Sequence, residues 1–291
     1  MESTMTEQTR KVRIVTDTTA VLPQDYLNRH EIEVIPQVIL FGEDSYLEDQ
    51  NITFEGFIEM LKESDVLPKT AAPPIQSAEE AFRKQLRYAE TILSIHPSSE
   101  VSGTVRTATL AREQSFNDAD IRILDTRQIG ANLATMVILA EEWAEEGKSA
   151  DEIMARLKDM IPQGRVYFLV DTLEYLQKGG RIGAASALLG TALQIKPILS
   201  MSDGKIDAFE KVRTHHKAYE RLKEIAQEQI NDPSAAYLSV GHADRISDAT
   251  KLAEELKEIF KTDHVPIYNM GASITTHAGP GVLKIAFFAQ Q

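Results

Sequence analysis

The sequence contains no cysteine, which removes disulfides, thiolate metal centres and thiol nucleophiles together and fits a reducing compartment. It is short of positive charge: 31 Lys and Arg face 44 Asp and Glu, a formal net charge of -13. A surface this acidic repels phosphate backbones and anionic headgroups, so no nucleic-acid partner is expected. No apolar run approaches the ~20 residues that a membrane-crossing helix needs. Met1 to Arg10 is polar, without the apolar centre of a secretory leader. The expectation is a cytoplasmic protein without stable membrane insertion.

Familiar catalytic signatures are missing too. There is no G-x-S-x-G and no H-E-x-x-H, and the G-x-G pair Gly279/Gly281 has Lys284 where a dinucleotide loop needs a third glycine. Gly147-Lys148-Ser149 resembles the tail of a phosphate loop, but Glu142 stands at the first glycine position. There Gly147 is better read as ending a helix, and Ser149 with Glu152 as capping the next. His215 and His216 are adjacent and point apart on a helix, a poor metal pair. No cofactor and no metal are expected.

What is present is an ordinary folded composition, 43% hydrophobic and 26% charged over 291 residues, enough chain for two compact domains. Strand and helix patterns alternate. Val12–Val15, Thr91–Ile95 and Ile121–Leu124 predict strands. Glu31–Phe41 predicts another, bent or at an edge because Pro36 cannot donate to a ladder. Thr53 caps a helix bearing Phe54, Phe57, Ile58 and Leu61; Ser77 with Glu80 predicts a capping box; a helix starts near Ser102; and Gln128–Glu146 is a long helix. The pattern pauses at Ile161-Pro162-Gln163-Gly164, placing the boundary between residues 11–163 and 164–291. The second half predicts a strand at Val166–Val170, a glycine-punctuated helical stretch from Thr172 to Ile195, and a hairpin about Ser202-Asp203-Gly204. Helices at 214–230 and 247–260 and strands at 236–240, 265–270 and 282–288 follow. The fold class is α/β, with parallel crossovers in the first half and a mixed sheet in the second.

Four segments exceed scaffold requirements. Lys69-Thr70-Ala71-Ala72-Pro73-Pro74 is a stiff turn with one hydroxyl. Ser98-Ser99-Glu100-Val101-Ser102-Gly103-Thr104 follows a buried strand and opens a helix, where hydroxyls, free N–H groups and the helix dipole favour an anion. Leu173 to Gly183 reads LEYLQKGGRIG. Thr276-His277-Ala278-Gly279-Pro280-Gly281 holds a hydroxyl and an imidazole beside a rigid turn between two late strands. Each has a bland alternative: a helix cap, a helix end or a structural histidine.

Together with Ile14-Val15-Thr16-Asp17-Thr18 and Ile195-Lys196-Pro197-Ile198, these segments resemble the DegV family of fatty-acid-binding proteins, in the family's order and from about Val12 to the end. The resemblance implies a two-domain DegV-like fold: a parallel α/β/α N-terminal domain, an α/β C-terminal domain with a mixed sheet, and a long-chain fatty acid held between them. It also implies a non-catalytic carrier that presents the bound carboxylate to a fatty acid kinase. The implied ligand-binding residues are Thr70, Ser98, Ser99, Thr276 and His277. The family's first loop usually reads Thr-Ser-x-Pro-Ser, whereas Ala71 follows Thr70 here and Pro74 replaces the second serine. Arg181 and Arg213 are expected to dock the kinase, arginine being common in interface hot spots. Burying an acyl chain of roughly 16 carbons yields a gross gain on the order of 12 kcal/mol, and the stretch 184–195, with Leu188, Leu189, Leu193 and Ile195, is a candidate wall. Two rivals remain: a hydrolase of an acyl ester with Ser98 or Ser99 as nucleophile, His277 as base and Asp17 orienting it, and a carrier of another lipid-like acid.

Overall fold

The computed structural model describes residues 10–189 and 196–289. The first half begins β1 (Arg10–Asp17), α1 (Gln24–His30), β2 (Glu33–Ile35), β3 (Val38–Phe41), β4 (Asp44–Leu47), α2 (Phe54–Glu63), β5 (Lys69–Ala71) and α3 (Ile75–Gln85). It continues with β6 (Ala89–His96), α4 (Thr104–Ser115), β7 (Asp120–Asp125), α5 (Ala131–Glu145) and α6 (Ala150–Met160). Strands β2-β1-β6-β7 form a parallel sheet in that order. One face carries Val12, Ile14, Leu93, Ile95 and Leu124 against Leu133, Met136 and Val137 of α5 and Ile153 and Leu157 of α6. The other carries Val15, Ile35, Ile92 and Ile121 against Ala78 and Phe82 of α3 and Ala108 and Ala111 of α4. Both faces are covered, as parallel sheets require.

The segment expected as one strand around Pro36 is two. Pro36 and Gln37 break it, leaving β2 at the edge of the parallel sheet and sending β3 to a small antiparallel sheet of order β4-β3-β5. Strands β4 and β5 were hidden in polar sequence; β5 contains the supposed turn residue Thr70. Ser77 does not cap a helix. Helix α3 begins two residues earlier, with Pro74 preceding its first residue. The box at Ser149 is present, with reciprocal bonds between Ser149 and Glu152.

The second half runs β8 (Gly164–Leu169), α7 (Glu174–Lys178), β9 (Lys196–Ser202), β10 (Lys205–Val212), α8 (His215–Gln229), β11 (Ser239–His242), α9 (Ile246–Phe260), β12 (Ile267–Asn269), α10 (Gly271–Ala278) and β13 (Leu283–Phe288). Its sheet has the order β10-β9-β8-β13-β11-β12, antiparallel throughout except for the parallel pair β11/β12. The stretch from Thr172 is not one helix: α7 is five residues long and a 3-10 turn follows at Gly183–Leu188. Leu188 is buried and Leu189 is exposed; Leu193 and Ile195 lie outside the described residues.

Strand alternation sets the two faces of this sheet. Leu169, Ile198, Val240, Ile285 and Phe287 pack under α8 and α9. Val166, Phe168, Leu199 and Ala286 point the other way, toward Ala131 of α5, Leu176 and Met270. That inner face meets the first half. Helix α10 carries the contact further: its Ala272 packs with Ile39, Phe41, Phe57 and Ile58.

Candidate functional site between the two halves

A cleft of about 840 Å³, partly open to solvent, lies where the inner face of the mixed sheet meets β5, the loop before α4 and helix α10. Val166, Phe168, Met201, Ile206, Met270 and Ile274 give it apolar walls, and Thr70, Ser102, Arg181 and His277 bring polar groups to it. Its mixed lining suits an amphipathic ligand.

His277 sits on α10, a helix where the sequence pattern predicts only a rigid turn between two strands. Thr275 and Thr276 turn their hydroxyls back onto the Gly271 and Ala272 carbonyls, and the helix ends at Gly279 with φ +83. A glycine is needed there both for that φ and because a Cβ would strike the Tyr175 ring. The His277 ring lies against Gly179, where any Cβ would collide with Nδ1. The LEYLQKGG and THAGPG motifs are therefore two sides of one contact that aims the imidazole.

His277 Nε2 and Thr70 Oγ1 are 2.6 Å apart, and Nδ1 is buried without a hydrogen-bond partner. Burial, reinforced by the Arg181 cation, pushes the imidazole pKa down to about 4, so the ring is neutral at pH 7. With the proton on Nε2, His277 donates to Thr70 Oγ1 and leaves the threonine O–H free to donate into the cleft. Arg181 is tied by Nε to Val101 O at 3.2 Å and by Nη1 to Gly179 O at 2.7 Å, which holds a cation beside the pair. Ser102 Oγ lies 2.8 Å from Thr104 Oγ1 at the start of α4. Thr104 in turn accepts from Gln37 Nε2 at 2.7 Å. The arrangement is a set of donors around a cation, suited to a carboxylate.

The structure brings together Thr70 and His277 but not the other hydroxyls expected with them. Ser98 is fully buried and donates to Gly204 O at 2.8 Å. Ser99 donates to Asp125 Oδ2 at 2.5 Å on the surface. Thr276 Oγ1 donates to Ala272 O at 2.9 Å within its own helix. None of the three lines the cleft. Ser102 does, and its position at the mouth of α4 is the signal that distinguishes it within the serine-rich segment. Arg181 lines the cleft as well, whereas Arg213 is exposed beyond the end of β10. Seven strand residues past Ile206 put Arg213 ~20 Å from the end of β10 near Arg181, so the two arginines do not form one patch.

The hydrolase arrangement is not assembled: Ser98 and Ser99 bond elsewhere, and His277 pairs with Thr70. Asp17 orients a different histidine. Its Oδ2 lies 2.8 Å from His96 Nδ1, and His96 Nε2 lies 2.6 Å from Ser94 Oγ. All three residues are fully buried, so this Ser-His-Asp alignment braces β1 against β6 away from solvent.

The profile described as "Uncharacterised protein, DegV family" matches residues 11–290. Protein DegV of Bacillus subtilis is 34% identical over 279 residues, covering 95% of this chain and 98% of that one. A DegV domain-containing protein of Clostridium acetobutylicum is 34% identical over 283 residues, covering 96% and 98%. Among solved structures, a fatty-acid-binding DegV family protein of Thermus thermophilus superposes with a TM-score of 0.90 at 29% identity, covering 96% of this chain and all of that one. DegV of Bacillus subtilis, described as a fatty acid binding protein, superposes at 0.83 with 33% identity, covering 97% and 100%. Among the described residues no helix is long and apolar enough to cross a membrane.

Proposed function

The chain belongs to the DegV family, and on that premise we propose that it binds a long-chain fatty acid in the cleft between its halves, without transforming it. The observation that carries this reading is the Thr70–His277 pair in a cleft whose walls also carry Phe168, Met201, Ile206, Met270 and Ile274. The acyl chain lies along Phe168, Ile206, Met270 and Ile274. The carboxylate accepts from Thr70 and Ser102 and is balanced by Arg181. Each hydrogen bond to the charged group contributes about 1.5–3 kcal/mol, which offsets much of the cost of taking the carboxylate out of water. The fatty-acid-binding relatives in Thermus thermophilus and Bacillus subtilis support the same ligand class.

Presentation of the bound carboxylate to a fatty acid kinase completes the proposal. It rests on the family resemblance, with the exposed Arg213 as the candidate kinase contact and Arg181 reassigned to the carboxylate. One experiment tests both levels. Mass spectrometry of solvent extracts from the purified protein should show a long-chain fatty acid, and added kinase with ATP should then yield acyl-phosphate, at a lower rate for Arg213→Glu. Protein that carries no fatty acid and takes none up overturns the binding reading. Acyl-phosphate formation at the parental rate in Arg213→Glu overturns the docking residue alone.

A further inference from the structure

Lys284 is the one charged residue in the strand Leu283-Lys284-Ile285-Ala286-Phe287-Phe288. It is opposite Gly241 on β11 and Phe168 on β8, on the inner face of the sheet, and its side chain lines the cleft. It is 2% exposed. Its stem crosses Gly241, and its ammonium lies against Gly130, beside the Ile274 side chain. A Cβ at either glycine would occupy the space that the lysine fills. Among the described residues, no carboxylate pairs with this ammonium and no hydrogen-bond acceptor holds it.

A buried ammonium without a partner is costly. A tunnel meant only for a hydrocarbon chain would be better served by leucine or methionine at this position. Ile274, beside Lys284, precedes His277 by one turn of α10, ~5 Å along the helix axis. A ligand whose carboxylate is held at Thr70 and His277 therefore passes the ammonium with its chain. From this juxtaposition we propose that the preferred ligand is a long-chain acid carrying a second oxygen function along the chain, a hydroxyl or oxo group, which accepts a hydrogen bond from Lys284 Nζ. The inference rests on the fatty-acid reading above and narrows it to a substrate class. The lysine provides three donors on a cationic centre, and a hydrogen bond from a charged donor discriminates strongly against an analogue lacking the acceptor.

The test uses the full chain after removal of any bound lipid, with stearic acid and a set of monohydroxystearic acids differing in hydroxyl position as probes at pH 7. At least one positional isomer should bind ~10-fold or more tighter than stearic acid, the range expected of a charge-assisted bond. Lys284→Met should abolish that advantage. The inference is overturned if stearic acid equals or exceeds every isomer on the unmodified protein, a comparison that needs no variant to fold. It is also overturned if Lys284→Met leaves the ratios unchanged, or if it loses stearic acid as His277→Ala does, because the lysine would then serve the carboxylate itself. Binding of stearic acid without discrimination leaves the fatty-acid reading standing. Binding of none of the probes removes both.

Discussion

At the residue scale the behaviour of the cleft turns on how burial changes a few polar groups. His277 is neutral because desolvation and the Arg181 cation disfavour its proton, and in the Nε2-protonated tautomer it donates to Thr70 Oγ1 and leaves the threonine hydroxyl proton free. The same burial makes stability depend on pH. An unfolded histidine titrates near 6.5 and folded His277 near 4, so between those values the unfolded chain binds more protons, and stability falls as pH drops from about 6.5 to about 4. The full loss is on the order of 3 kcal/mol. Ligand-free His277→Gln should lose less in melting temperature between pH 7 and pH 4.5 than the parent, while other histidines contribute a common background to both proteins. Equal losses would mean that His277 does not carry this dependence.

At the element scale, α10 is the device that aims the site, and a single carboxylate anchors it. Glu48, 2% exposed, follows β4. It accepts from the Ser273 backbone N–H at 2.9 Å near the N-terminus of α10 and from Thr18 Oγ1 at 2.5 Å. The helix belongs to the second half of the chain and its anchor to the first. Burial raises the Glu48 pKa, and the Ser273 and Thr18 bonds oppose that rise. Glu48→Ala should destabilise the protein by about 1–3 kcal/mol, since it leaves a helix N–H and a hydroxyl without their acceptor. It should also weaken stearic acid binding although Glu48 touches no ligand. Glu48→Gln, which keeps one acceptor oxygen, should fall between alanine and the parent in thermal melts and titration calorimetry. An alanine variant with parental stability and affinity would refute the anchoring role. The sequence pattern missed this helix because Ile274-Thr275-Thr276 is β-branched and glycines flank it, so local propensity opposes a helix that tertiary contacts impose.

At the scale of the whole molecule, the cleft exists only because both halves wall it. Ser98, assigned from the resemblance to the carboxylate, instead ties β6's loop to the β9–β10 hairpin through Gly204 O. Nearby, Lys205 pairs with Glu100 at 3.3 Å, and the Arg127 guanidinium bonds the Asp203 carbonyl. Ser98→Ala should therefore cost about 1–2 kcal/mol of stability by leaving a buried carbonyl unpaired. Stearic acid affinity should change by less than a few-fold, as read by melting in the absence of ligand and by titration. A loss of affinity comparable to that in Thr70→Val or His277→Ala, with melting unchanged, would return Ser98 to the carboxylate site.

The sequence by itself determined the alternation that makes two sheet-based halves, since hydrophobic periods and caps such as Thr53 and Ser149 act within a few residues of their own position. It also determined which short segments carry the site, because motifs such as LEYLQKGGRIG and THAGPG depart from what a helix or turn needs. It did not determine which hydroxyl lines the cleft. Ser98, Ser99 and Ser102 are the same residue type within a span of five positions. They differ only in where Gly204, Asp125 and Thr104 lie to receive them. Nor did it determine the environment of Lys284, a charge in an apolar strand whose meaning depends on Gly130 and Gly241 leaving room for it. Those outcomes belong to the tertiary structure because a hydrogen bond or a desolvation cost is set by what surrounds an atom. In this chain the surroundings come from residues far apart in sequence: 207 positions separate Thr70 from His277 and 225 separate Glu48 from Ser273.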